Sequence, residues 1–291
     1  MYSARITQTN PSAFIFLLDQ SGSMEEPVEF LGSRTSKAEA VALTANMLIS
    51  EIIHRSSREK GIRDYFHLAL LGYGNDEVYP LTAKASGGSD VEGFMTVSRL
   101  AGLDVRRRSY TRERRLPSGE SLLTTTEQKF WIEPRARSNT PMYKALTEGF
   151  ALARRWCTKQ SHAGSYPPII FNITDGEASD ADDKSLLAIS ESIRALSTSD
   201  GNVLLINSHI SSVGTSGPVI FPCSQQCPGN ARHARLLYDM SSPMPESYND
   251  HIRRIKTDGE RPPFRGMSYN CPIESLLTII DIGSISINLI Q

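Results

Sequence analysis

Two apolar runs, each closed by an acid, dominate the pattern of this chain. Phe14 to Leu18 is unbroken and stops at Asp19, and Pro168 to Thr174 is nearly so and stops at Asp175. Five apolar residues in a row predict a strand buried on both faces, here spanning about 13–18. Phe66 to Tyr73 and Asn202 to Ile210 predict two more strands. Val78 to Leu81 predicts a short edge strand, and Val219 to Phe221 a short sixth strand of the set.

Between these runs the apolar period lengthens to that of a helix. Ala38, Val41, Ala45, Leu48 and Ile52 recur at helical spacing, predicting a helix from Ser36 to about Arg58 opened by the capping box Ser36-Lys37-Ala38-Glu39. Asn139-Thr140-Pro141 predicts the start of another helix, with Thr140 as its N-cap and Met142, Ala145, Leu146, Gly149 and Ala153 facing inward. Ser179 to Asp182 predicts the cap of a helix running to about Leu196. Further helices are expected near 230–239, 244–257 and 271–280, followed by a strand-like tail from Ile285 to Ile290. Residues 1–12 read as a loose lead-in. Residues 82–136 carry too few apolar residues for a core of their own. They read as an elaborated loop or hairpin with short strands near 120–126 and 130–132. Strands alternating with helices in this way predict an α/β fold: a doubly wound, Rossmann-like, mostly parallel central sheet flanked by helices on both faces.

Composition adds limits. Of 291 residues, 31 are basic and 32 acidic, a net charge of −1, so the overall balance favours neither nucleic acid nor a membrane surface. No export signal is visible, and the apolar stretch from Leu276 to Ile290 is interrupted by Thr278, Asp281, Ser284, Ser286 and Asn288, so no membrane span is expected. The four cysteines, Cys157, Cys223, Cys227 and Cys271, read as reduced thiols of a cytoplasmic protein. Cys223 and Cys227 with His233 lack a fourth ligand for a structural zinc. The six histidines show no ligand spacing. Arg106, Arg107, Arg108, Arg112, Arg114 and Arg115 crowd into ten residues. They form either a patch for an acidic partner or, less in keeping with the charge balance, nucleic acid, or else a solvated loop or hairpin, and the last reading is favoured.

The chemistry gathers where the two apolar runs end. Asp19-Gln20-Ser21-Gly22-Ser23 places a carboxylate and two hydroxyls on a tight loop. Ligands of doubly wound sheets bind outside the carboxyl ends of the strands, where the strand order reverses. There the candidate set is Asp19, Ser21, Ser23, Thr140 and Asp175. Three hydroxyls and two carboxylates suit a hard divalent cation, Mg²⁺ or Mn²⁺, that keeps positive character and an open position. A phosphoesterase using the same site is the alternative. It is weakened by Ser21, which stands where a second acid would be needed, and by the lack of a Gly-Lys phosphate loop.

As an ordered set, Asp19-x-Ser21-x-Ser23, Asn139-Thr140-Pro141-Met142 and Thr174-Asp175-Gly176 resemble the metal-ion-dependent adhesion site of von Willebrand factor A (vWA) domains. The resemblance spans about 13–280, and the chain is most similar to stand-alone bacterial vWA proteins. It implies one vWA domain over 13–291, with an insertion at about 82–136 that is longer than the family pattern. It also implies the strand order 3-2-1-4-5-6. Ser21, Ser23 and sometimes Thr140 would touch the metal directly, Asp19 and Asp175 largely through water. A partner protein's Glu or Asp would complete the coordination. Gln20, Met24, Asn139 and Gly176, with Arg106, Arg107 and Arg108, are the candidate partner contacts. Such proteins are associated with stress-response and conflict systems containing kinases, phosphatases or AAA ATPases, which is analogy alone.

Overall fold

The computed structural model describes residues 2–82, 93–115, 121–210, 218–223, 232–256, 259–271, 275–276 and 278–279, with backbone only at 112–115 and 121–122. The strands are β1 Ser12–Asp19, β2 Phe66–Gly74, β3 Glu77–Pro80, β4 Met95–Thr96, β5 Arg106–Arg115, β6 Ser121–Phe130, β7 Ile169–Thr174, β8 Leu204–Ile210, β9 Val219–Ile220 and β10 Met267–Cys271. The helices are α1 Lys37–Ser56, α2 Val97–Ala101, α3 Met142–Thr158, α4 Asp183–Ala195, α5 Arg232–Met240 and α6 Asn249–Ile255. Short hairpins fill several connections.

All eight residues of β1 are buried, as its unbroken apolar run requires. It lies between β2 and β7, parallel to both, with Phe16 opposite Leu70 on one side and Phe171 on the other. The path through the sheet is β9-β10-β8-β7-β1-β2-β3, with β4 also on β2. Edge strand β3 runs antiparallel to β2, and β7, β8 and β10 run parallel to one another. Counted from β3, this is the order 3-2-1-4-5-6, and the reversal falls between β1 and β7 as expected. The sixth place belongs to Met267–Cys271, not to Val219–Ile220, which adds an antiparallel strand outside it. The mixed run Met-Ser-Tyr-Asn-Cys lacks the apolar continuity of a central strand, so its pattern did not mark it. Cys271 therefore ends a strand instead of opening the last helix. Residues 275–276 and 278–279 are helical, and the tail from Ile285 to Ile290 lies outside the described residues.

Alternation along β1 splits the core in two. Phe14, Phe16 and Leu18 face α1 and meet Val41, Ala45, Leu48 and Ile52. Ala13, Ile15 and Leu17 face α3, α4 and α5 and meet Leu146, Trp156, Ile193 and Leu237. Phe16 stacks on Phe171 at 5.1 Å between ring centroids, with the planes 9° apart. A fully buried phenylalanine contributes about 1.5–3 kcal/mol relative to exposure. No helix among the described residues is long and apolar enough to cross a membrane.

Three local expectations change. The lead-in is tied down: Ile6 is fully buried, and the Ser3 and Ala4 N–H groups donate to the Asp200 carboxylate. Only half of the capping box forms at α1. Ser36 accepts from the Glu39 N–H at 3.2 Å, but the Glu39 carboxylate turns to Arg108. The described residues of 82–136 hold one long antiparallel hairpin, β5 with β6, in place of the two short strands expected. It docks on α1 through buried Asn46, whose Oδ1 accepts from the Trp131 and Ile132 N–H groups, and through Gln128, which donates to the Asn46 carbonyl.

Candidate metal centre

The ends of β1 and β7 lie side by side, so Asp19 and Thr174 meet there. Thr174 donates its hydroxyl to Asp19 Oδ2 at 2.7 Å, and the Ser21 N–H donates to Asp19 Oδ1 at 2.8 Å. Both donors are neutral, and Asp19 is 1% exposed. Burial pushes its carboxyl up to about 6, against the lowering effect of the Ser21 and Thr174 hydrogen bonds.

The loop after β1 is fixed by its backbone. The Gln20 N–H donates to the Tyr73 carbonyl, the Gly22 N–H to the Ser138 carbonyl, and the Arg137 N–H to the Gln20 carbonyl. Gly74 allows this crossing, since a Cβ there would stand 2.5 Å from the Gln20 carbonyl oxygen. The loop turns Ser21 Oγ and Ser23 Oγ to within 3.1 Å of each other, and Ser23 donates to Asp175 Oδ1 at 2.6 Å.

Thr140 arrives from the far side. Its N–H donates to Ser179 Oγ at 3.0 Å, and the Ser179 N–H returns to the Thr140 carbonyl at 3.0 Å. The expected N-cap role does not hold: α3 begins at Met142, and Thr140 Oγ1 makes no cap bond. Asp180 serves that helix instead, accepting from the Tyr143 and Lys144 N–H groups at 3.0 Å each, while Asp182 caps α4. The threonine hydroxyl is thereby left to face the site. A Cβ built on Gly176 would lie 3.9 Å from Ser23 Oγ and 4.0 Å from Thr140 Oγ1, so the two hydroxyls converge on one point.

The five predicted residues therefore come together. Three hydroxyls and two carboxylates, one of them buried and, among the described residues, without a cationic partner, form the hard-oxygen donor set that a small divalent ion takes. The residues present fit such an ion.

The partner-contact candidates divide. Met24 is fully buried in the core beside α1, and Gln20 is 4% exposed with Oε1 accepting from the Tyr79 hydroxyl. Their side chains are internal and offer a partner no surface. Asn139 is exposed and donates to the Asp76 carboxylate. Arg108 is also spent inside the molecule: it lies 4.6 Å over the Phe130 ring and pairs with Glu39 and Glu133. Arg107 is exposed and holds Glu127 at 3.4 Å. Arg106 lines a cavity of about 800 Å³ with Tyr79, Trp131, Arg135 and Arg137, beside the loop of Gln20. Trp131 is itself buried, its indole donating to the Leu100 carbonyl. Cys157, Cys223 and Cys271 are free, whereas Cys227 lies outside the described residues.

Sequence reasoning missed Lys37. Its ammonium lies 2.9 Å from Asp175 Oδ2 and 2.8 Å from Glu26 Oε2, and its side chain is only 5% exposed. Burial alone would lower its pKa, but the Glu26 and Asp175 carboxylates together hold it above its ordinary value. One signal was present. A lysine in the first turn of a helix opposes the helix dipole, so its place there asks for an acidic partner.

No protein-family model matches this chain, and no curated protein matches it. Among solved structures it is similar to a von Willebrand factor type A protein from Catenulispora acidiphila, at 13% identity and a TM-score of 0.41 over 69% of this chain and 34% of that one. It is also similar to an uncharacterized membrane spanning protein from Vibrio fischeri, at 12% identity and a TM-score of 0.23 over 68% of this chain and 71% of that one. This chain spans 34% of the length of the first of these. At these scores the likeness says nothing of ligand or partner, and the α/β assignment rests on the sheet order and register of this chain.

Proposed function

We propose that this chain is a metal-dependent protein interaction module. A divalent cation, Mg²⁺ or Mn²⁺, is held by Ser21, Ser23 and Thr140, with Asp19 and Asp175 behind them. The ion supplies a Lewis-acidic position that accepts a Glu or Asp side chain from a partner protein. The observation that carries this reading is the convergence of Ser23 Oγ and Thr140 Oγ1 beside Gly176, with Ser21 Oγ 3.1 Å from Ser23 Oγ.

The chain's own residues prepare that position. Thr174 and the Ser21 N–H orient Asp19, and Ser23 and Lys37 orient Asp175. Ser179 and Asp180 fix the approach of Thr140. A phosphoesterase reading has less support. Ser21 cannot replace a general acid, and both Asp19 oxygens are engaged by donors below the surface.

The test is a pull-down from a host lysate with wild-type chain, with and without chelator, alongside the Ser21→Ala variant. A partner captured only with metal, and lost with Ser21→Ala, is the expected result. Capture indifferent to both would overturn the reading. Metal-dependent turnover of a generic phosphoester, lost with Ser21→Ala, would favour the phosphoesterase.

A further inference from the structure

The unexplained feature of this site is the buried ammonium of Lys37. Lysine is almost never fully buried unless paired, and here it is paired twice. The short hairpin before α1 sets this up. Pro27 pairs with Ser36 across it, which brings Glu26 and Lys37 together, and the Lys37 N–H donates to the Glu26 carbonyl at 3.0 Å. The side chain then reaches from the first turn of α1 to Asp175.

The consequence is a matter of charge. Asp175 has one oxygen on the Ser23 hydroxyl and the other on an ammonium, so a full positive charge already sits on it. Among the described residues, Asp19 is the carboxylate of the pair whose donors are all neutral. Glu26 also faces Lys37, but its side chain is 55% exposed, so solvent weakens its field.

Resting on the metal-site reading above, we infer that Lys37 is a built-in cation that sets the charge of the site. It offsets Asp175 and repels an incoming divalent ion. Metal is therefore held weakly by the chain alone and firmly once a partner's carboxylate adds its charge. Lys37 is in this sense a specificity-determining residue: it couples metal retention to an acidic partner. An ammonium and a dication that draw on the same carboxylate would repel each other in this partly buried setting, enough to change affinity by about an order of magnitude.

The experiment is calorimetric titration of the full chain with MnCl₂ and with MgCl₂, with thermal unfolding plus and minus metal as a second readout. Lys37→Met removes the charge and the donor. Lys37→Gln removes the charge but keeps a donor for Asp175 and preserves folding if the methionine variant does not fold. Lys37→Arg keeps the charge. Lys37→Met and Lys37→Gln are expected to bind Mn²⁺ about tenfold tighter than wild type and to gain more melting temperature from it, with Lys37→Arg near wild type. Wild-type affinity in Lys37→Gln with weaker binding in Lys37→Met would show that Lys37 only positions Asp175, and would overturn the inference while leaving the metal site standing. No binding by wild type or by either neutral variant would remove the metal reading and the inference with it.

Discussion

Thr174 donates its hydroxyl to Asp19 Oδ2 at 2.7 Å, joining the ends of two adjacent parallel strands. The same hydroxyl oxygen accepts the Gly176 N–H at 3.2 Å, so one side chain fixes both the buried acid and the turn that carries Asp175. A hydrogen bond to a charged group contributes about 1.5–3 kcal/mol. Thr174→Val is expected to lower stability by about that amount in urea unfolding, and Thr174→Ser by much less. Equal stability of the valine variant would show that the bond does no holding.

Asp180 gives a second prediction. It caps α3 from outside that helix, and loss of such a cap costs about 1 kcal/mol. Asp180→Ala is expected to shift the urea midpoint down by that amount with an unchanged slope. A steeper loss, or a changed slope, would mean that the Thr140 loop unfolds with the cap.

Much of this was legible in advance, for definable reasons. The strands β1 and β7 were plain because burial on both faces requires an unbroken apolar run. Asp19, Ser21, Ser23 and Asp175 were plain because they follow the ends of two apolar runs, and Thr140 because Asn139-Thr140-Pro141 marks the start of a helix. The hairpin β5–β6 was not, because Arg106–Arg115 reads RRRSYTRERR and its alternation is among polar residues. The role of Lys37 was hidden because its partner Asp175 is 138 residues away in sequence. Asp180 was misplaced because a run of cap formers at 179–182 does not state which helix each one serves.

The cysteines offer a chemical test of burial. Burial pushes the Cys157 thiol up to about 12 and the Cys271 thiol up to about 11. Both stay protonated at pH 8, and the thiol form does not alkylate. Iodoacetamide at pH 8 is expected to modify both at least about a hundredfold faster in urea than in the folded chain, read by mass spectrometry. Equal rates at Cys157 in the two conditions would contradict the partial burial of its thiol in the last turn of α3.

His233 makes acid stability measurable. Burial holds its imidazole below the ordinary value, with Glu177 and Asp183 opposing in part. Among the described residues neither ring nitrogen has a hydrogen-bond partner. The unfolded chain takes up this proton near pH 6.5, whereas the folded chain does so only at lower pH. Below about pH 6.5 the unfolded state therefore binds more protons, and stability falls as pH falls. His233→Gln is expected to flatten the decline in urea midpoint between pH 7 and pH 5. An identical decline in both proteins would contradict this.

Calorimetric titration with Mn²⁺ decides whether Asp19 stands behind a divalent ion at Ser21, Ser23 and Thr140, as proposed above. Wild-type chain and Asp19→Ala, both verified as folded by circular dichroism, are compared under one buffer. Saturable binding by wild type near one ion per chain, lost or weakened at least about tenfold in Asp19→Ala, is the predicted result. Unchanged binding by the folded Asp19→Ala protein would contradict it.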